Sequence, residues 1–123
     1  TILAGTGAGT WEHDYTTGTD TLNDAYAGML GETLDSLAMG PGGFMARVHP
    51  DDLPRLRAAN LDHAQGRTAD YQCEFRMRHR NGGWIWVQSR GRIAERDAEG
   101  RPLRMAGIHL DVSERHAQHQ ALL

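Results

Sequence analysis

The reactive chemistry open to this 123-residue chain lies in its sixteen acidic residues, seven histidines and single cysteine. Asp14, Asp51, Asp52, Glu74 and Asp111 supply carboxylates, yet none stands with a nucleophile or base in a recognisable catalytic constellation. Asp51 and Asp52 are explained by their place before a helix, where a carboxylate accepts from free amides and suits the positive end of the dipole. Glu74, Arg76, Arg90 and Arg92 can pair across neighbouring strands on a wet face. His116 and His119 can hold an adventitious metal, but a third ligand is lacking, so no zinc site is expected. Cys73 has no partner for an internal disulfide and fits a reducing, cytoplasmic compartment. A stand-alone enzyme would need turnover and a catalytic cluster that these residues do not form.

Composition narrows the partners. The net charge is −3 with both signs interspersed, which gives no reason to expect nucleic acid or anionic lipid. No apolar run approaches membrane-spanning length, and the secretory pattern is missing. The opening Thr1-Ile-Leu-Ala has no initiator Met, as expected of an excised fragment. The length suits one domain with a real core.

Several elements must position these groups. Residues 4–10 read as a Gly- and Thr-rich lead-in. Thr10 to Tyr15 alternates as a strand, Thr17-Gly18 turns it, and Thr19 to Leu22 is a short hairpin partner. Asn23-Asp24 caps a helix over Ala25 to Leu30 that stops at Gly31. Glu32 to Met39 has room for one helical turn, and Gly40-Pro-Gly-Gly43 is the clearest break in the first half. After His49-Pro-Asp-Asp52 a helix runs to Gln65, with Pro54 in its first turn, Leu53, Leu56, Ala59 and Ala64 on one side, and Gly66 as its stop.

The strongest pattern is a meander from Asp70 onward. Tyr71, Cys73, Phe75 and Met77 alternate with Gln72, Glu74, Arg76 and Arg78, period two with one wet side. After Asn81-Gly82-Gly83, Ile85, Val87, Ser89, Gly91 and Ile93 alternate with Trp84, Trp86, Gln88, Arg90 and Arg92. A turn at Asp97 to Gly100 leads to a strand over Arg104 to Leu110. There Met105, Gly107 and His109 alternate with Ala106, Ile108 and Leu110, so neither parity is simply polar and the strand belongs in the middle of a sheet. At Asp111 the pattern stops. Asp111 and Glu114 have capping-box spacing, Ser113 competes as cap, and a mostly polar helix follows, with Leu122 and Leu123 as the start of a seam.

In these pieces the chain resembles a PAS domain with its C-terminal PAC motif. The resemblance rests on Gly9-Thr-Trp-Glu-His-Asp, Asn23…Tyr26…Met29-Leu-Gly31, and His49-Pro-Asp-Asp52. It continues through Tyr71…Glu74-Phe-Arg76, Asn81-Gly82…Trp86-Val87, Asp97…Gly100-Arg-Pro, and Gly107-Ile-His-Leu-Asp-Val-Ser-Glu-Arg115. Each is weak alone; seven in order and at the right spacing argue for the fold. The resemblance implies an α+β PAS fold, a five-stranded antiparallel sheet in order 2-1-5-4-3 with short helices over one face enclosing a small-molecule pocket. Residues 1–113 would be the single PAS/PAC domain, and 114–123 the start of a linker helix to an effector domain.

By the family's register the pocket face carries Tyr71, Cys73, Phe75, Val87, Ser89, Gly91 and His109. Ser89 and Gly91 are small where a filled core favours Val or Ile, leaving room for a ligand, although a strand Gly can also mark a bulge or close backbone approach. His109 falls where flavin-binding relatives carry a glutamine. It can bond a ligand or switch with pH, or be a core histidine held by a helix backbone or Tyr71, and the core reading is preferred. Flavin photochemistry needs a cysteine on the helix over the pocket; Phe44-Met-Ala-Arg-Val has none, and Cys73 is on a strand. Haem-binding relatives use a histidine of the long helix, but His63 lies near its end and is expected to face water. Both cofactors are disfavoured, and a small metabolite stays open.

The resemblance thus implies a cytoplasmic sensory domain. It would relay a ligand or packing change through Asp111, Ser113, Glu114 and Arg115 to a histidine kinase or diguanylate cyclase. The alternative is a ligand-free dimerisation or protein-interaction module. Trp84 and Trp86 share the outer face with Ile108 and Leu110, an apolar patch to be covered by a missing N-terminal helix, a second subunit of a homodimer, or the outgoing tail.

Overall fold

The computed structural model describes residues 8–37 and 43–122. The lead-in before Ala8, the residues 38–42 that include most of the Gly-Pro-Gly-Gly break, and Leu123 of the expected seam lie outside the described residues. Strands β1 (Gly9–Asp14) and β2 (Thr19–Leu22) form an antiparallel hairpin. Gly18 closes its turn at φ +70°, a conformation that costs a side-chain-bearing residue energy. Asn23 then caps α1 (Asp24–Met29): its Oδ1 accepts from Tyr26 N and from Thr10 N, both at 2.9 Å. Its Nδ2 donates to Ala8 O at 3.3 Å, so one side chain starts the helix and ties it to β1. Such a cap is worth about 1 kcal/mol.

Two 3₁₀ turns, Gly43–Arg47 and Pro50–Asp52, lead into α2 (Leu53–Ala64). The meander follows as β3 (Tyr71–Arg78), β4 (Trp84–Arg96) and β5 (Pro102–Asp111), and α3 (Ser113–Leu122) leaves the sheet. The order is β2-β1-β5-β4-β3 with antiparallel pairing throughout, as the resemblance implied. β5 is central between β1 and β4. Its inner parity is buried at Met105 and His109, while Ala106, Ile108 and Leu110 on the outer parity are only half-buried. The core gathers Tyr26 and Ala27 of α1, Leu30 at its C-cap and Leu56 of α2 against Phe75, Met77, Val87 and Met105.

Two local readings change. β4 was expected to end at Ile93 and runs to Arg96. Beyond Gly91 it has no partner on β3, which starts opposite that residue. The end of α2 takes over there: His63 Nε2 accepts from Ile93 N at 2.9 Å, and Arg96 donates to Ala64 O at 3.0 Å and His63 O at 3.3 Å. Ala64 is the last residue of α2, so its carbonyl has no partner within the helix and Arg96 supplies one; His63 O also accepts from Gly66 N at 3.0 Å. His63 accordingly does not face water. It is 4% exposed, and its Nδ1 bonds Thr68 O at 3.0 Å. Because Nε2 accepts a backbone N–H, the ring must be the neutral Nδ1–H tautomer.

Asp52 also departs from the sequence reading. It holds the cap position of α2 without capping it. Its carboxylate reaches Arg76 on β3, accepting from the backbone N at 2.8 Å, Nε at 3.0 Å and Nη2 at 2.9 Å. Burial pushes this carboxyl up, but the Arg76 side-chain and backbone donors outweigh that and hold it below the ordinary aspartate range. His49 ties down the same strand, donating its backbone N–H to Arg76 O at 2.9 Å. The free edge of β3 is thereby occupied, which blunts it as a template for further strands.

Candidate functional site

A cavity of about 610 Å³ opens between the inner sheet face, the Gly43–Met45 turn and the second half of α2. Its inner end is built on the β4–β5 register, which sets Ser89 opposite His109. His109 is 4% exposed and ringed by aromatic side chains. Tyr26 of α1 stacks on it with centroids 4.7 Å apart, Phe75 meets it at 5.8 Å, Trp11 at 6.1 Å and Phe44 at 6.4 Å. Burial alone pulls the His109 pKa down to about 3, so near neutral pH the ring is uncharged. No hydrogen bond contributes to that shift. Burial also raises the phenols of Tyr26 and Tyr71, the latter opposed by a hydrogen bond with Ser89.

Of the seven residues expected on the pocket face, Tyr71, Ser89 and His109 line this cavity. Phe75 and Val87 are packed in the core. Cys73 is buried there too, its Sγ 3.7 Å from Glu74 O and its thiol pushed up by burial. Gly91 lies beneath Trp11: a Cβ there would come within 2.7 Å of the indole and 2.8 Å of Ala106 O. Gly107, its partner in register, would place a Cβ 2.6 Å from the same ring. The pair forms a notch that this chain's own tryptophan fills. Trp11 Nε1 is buried there with no partner among the described residues.

Sequence reasoning missed Trp11, Tyr26, Phe44 and Met105, which complete the walls, and Arg57 and Asn60, which reach the mouth from α2. Their signal was faint: residues 57 and 60 are one helical turn apart, and the facing Gly91 and Gly107 announce a bulky neighbour only once the register is known. On the other rim Asp20 is paired with His13 Nδ1 at 2.8 Å. Among the described residues no group of three or more His, Cys, Asp or Glu is placed to hold a metal ion. His63, the histidine of the long helix, has both nitrogens engaged by the protein.

The expected relay residues stand where β5 becomes α3. Asp111 Oδ1 accepts from Ser113 N at 2.9 Å. Ser113 Oγ accepts from Trp86 N at 2.9 Å, and Val112 N donates to Trp86 O at 2.8 Å. Arg115 pairs with Glu74. Glu114 is exposed and closes no capping box, because Asp111 bonds the nearer amide. One turn on, His116 stacks on Trp86 and its Nε2 lies 2.9 Å from Glu74 Oε1. Burial pushes the Glu74 carboxyl up, but bonds from His116, Arg115 and Gln88 prevail and hold it low. The outer-face residues therefore separate. Trp86 is covered by α3, Trp84 remains 39% exposed beside His49 and Arg78, and Ile108 and Leu110 are half-buried.

With this geometry in view, comparison with known proteins places the chain. A family profile described as PAS fold matches residues 19–109, and the chain belongs to that family. It is 33% identical over 76 residues to the two-component sensor PprA of Pseudomonas aeruginosa, a match covering 62% of this chain and 8% of that protein. The chain thus spans a small part of that relative's length. A crystal structure of a sensory box histidine kinase/response regulator from Burkholderia thailandensis superposes with a TM-score of 0.85 at 34% identity. That match covers 98% of this chain and 88% of the other. The N-terminal domain of a diguanylate cyclase with PAS/PAC sensor from Marinobacter aquaeolei shares the fold, at a TM-score of 0.73 and 21% identity over 89% and 98% of the two chains. Among the described residues no helix is long and apolar enough to cross a membrane.

Proposed function

We propose that the chain is the sensory domain of a signalling protein, occupied by a small ligand in the cavity and coupled through α3 to an attached effector. One observation carries the reading. β4 lines the cavity with Ser89 and, three residues earlier, holds the start of α3 through both backbone groups of Trp86. A ligand that shifts this strand must act on the helix start, where Asp111, Ser113 and Arg115 connect sheet to helix. The Burkholderia relative, a sensory box histidine kinase/response regulator at 34% identity, favours a histidine kinase as effector, and the Pseudomonas relative is a two-component sensor; a diguanylate cyclase is the other effector the resemblance implies. A cytoplasmic setting is consistent with the unpaired Cys73.

The test fills the cavity and reads the helix. In Ser89→Val, hydrogen exchange at Val112 and along the first turn of α3 should change, and Asp111→Ala in the same background should abolish that response. Perturbed amides at His109 and Tyr71 with unaltered α3 exchange would overturn the reading.

Homodimerisation is the second part of the proposal. Trp84 with half-buried Ile108 and Leu110 leaves part of the outer sheet face without cover from the described residues. Sedimentation at high concentration should give a dimer that Ile108→Glu dissociates; a monomer there would rule it out.

A further inference from the structure

The cavity's lining differs between its inner end and its mouth. Among the described residues the inner end has no cation or anion: His109 is neutral, and its surroundings are aromatic rings, Ser89 and Met105. A charge placed there would lose its hydration without a counter-ion, so the buried part of any ligand must be neutral. A neutral imidazole in this wall offers a ligand one donor and one acceptor. A flat ring carrying an N–H or O–H answers both the shape and the polarity.

The mouth differs. Asp20 is already paired with His13 on one rim. Arg57 on the other is exposed and has no carboxylate within ion-pair distance among the described residues. Asn60, one turn further along α2, faces the same opening. A guanidinium with an amide beside it suits the two oxygens of a carboxylate.

We infer that the cavity takes a small aromatic carboxylic acid, its ring laid against His109 and the surrounding aromatic side chains and its carboxylate held at the mouth by Arg57 and Asn60. This rests on the cavity being the sensory site. It goes further in fixing the ligand's charge and which end enters first.

The experiment uses one ring with three charges: indole-3-acetate, indole-3-acetamide and tryptamine. Each is titrated by calorimetry and by amide shifts on the whole chain. The expected order is acetate, then amide, then amine, with the acetate roughly five- to tenfold tighter than the amide, as a half-exposed charged contact allows. Shifts should appear at Ser89 and His109. In Arg57→Gln, a surface change that leaves the core untouched, acetate and amide should bind alike. Binding at Ser89 and His109 without this order, or an order that survives Arg57→Gln, overturns the inference and leaves the sensory reading standing. Absence of all three from the cavity also overturns it. The sensory reading is judged separately, by the response of α3 to Ser89→Val.

Discussion

Trp86 and His116 lie ring on ring, their centroids 4.0 Å apart and their planes 3° from parallel. Arg76 also sits over the indole at 5.1 Å, and that guanidinium is held by Asp52 at the start of α2. One tryptophan on the outer face thus joins the helix that rims the cavity to the helix that leaves the domain.

Removing that contact should loosen α3 while sparing the sheet. A partly exposed stack of this kind is worth about 1 kcal/mol. His116→Ala should therefore raise hydrogen exchange in α3 by roughly fivefold, with amides of β3 to β5 unchanged. Equal protection of α3 in the variant would mean that Ser113 and Val112 alone hold it.

Acid should weaken the fold through His109. Its folded pKa is depressed to about 3 against an ordinary value of about 6.5 in the unfolded chain. A depressed histidine stays neutral when folded while the unfolded chain binds a proton. Its contribution is therefore full above about pH 6.5 and is lost as pH falls from there toward 3, at up to about 1.4 kcal/mol per unit. Urea denaturation at pH 7 and pH 5 should show this loss in the native chain and a shallower one in His109→Gln. Identical slopes would mean that the ring takes up its proton in the folded state.

How far the sequence carried is clear from individual residues. Strict alternation in β3 fixed which side chains point inward, and the mixed parity of β5 marked it as central. Ser89 and His109 were reachable from there. Trp11 and Tyr26 were not, because they arrive from other elements, and Trp11 fits only once Gly91 and Gly107 are known to face each other. Asp52 resembled a cap because its local setting is that of a helix start, while its partner Arg76 lies 24 residues away. His63 sits between polar neighbours that suggest solvent, but Thr68 and Ile93 satisfy both its nitrogens. Local periodicity reports faces; it does not report which distant polar group will meet a buried one.

The Asp52–Arg76 pair should be costly to break from the acid side. Asp52 has a side chain 3% exposed, against 28% for Arg76. Asp52→Asn leaves a guanidinium and a backbone N–H with poorer acceptors, at a cost of about 2–3 kcal/mol, below that of a fully buried pair. The carboxyl's pKa is lowered on folding, so its contribution is present above the ordinary aspartate range and lost as pH falls through the folded value. Chemical denaturation at pH 7 should show the full deficit, narrowing under strong acid. A deficit that persists unchanged there would assign it to packing.

The two glycines under Trp11 should respond differently to a methyl group. At Gly107 an added Cβ would lie 2.0 Å from Arg90 O, a backbone atom fixed by the sheet. At Gly91 the closest contacts are the Trp11 indole at 2.7 Å and Ala106 O at 2.8 Å. Gly107→Ala should cost about 3 kcal/mol or more, and Gly91→Ala about 1–2 kcal/mol. Trp11→Phe, which withdraws the outer ring, should recover part of the loss in Gly91→Ala. It should recover none in Gly107→Ala, where the backbone contact remains. Thermal melts of the two pairs decide the point: rescue at both positions would show that the indole, rather than the β4–β5 backbone, limits the space at Gly107.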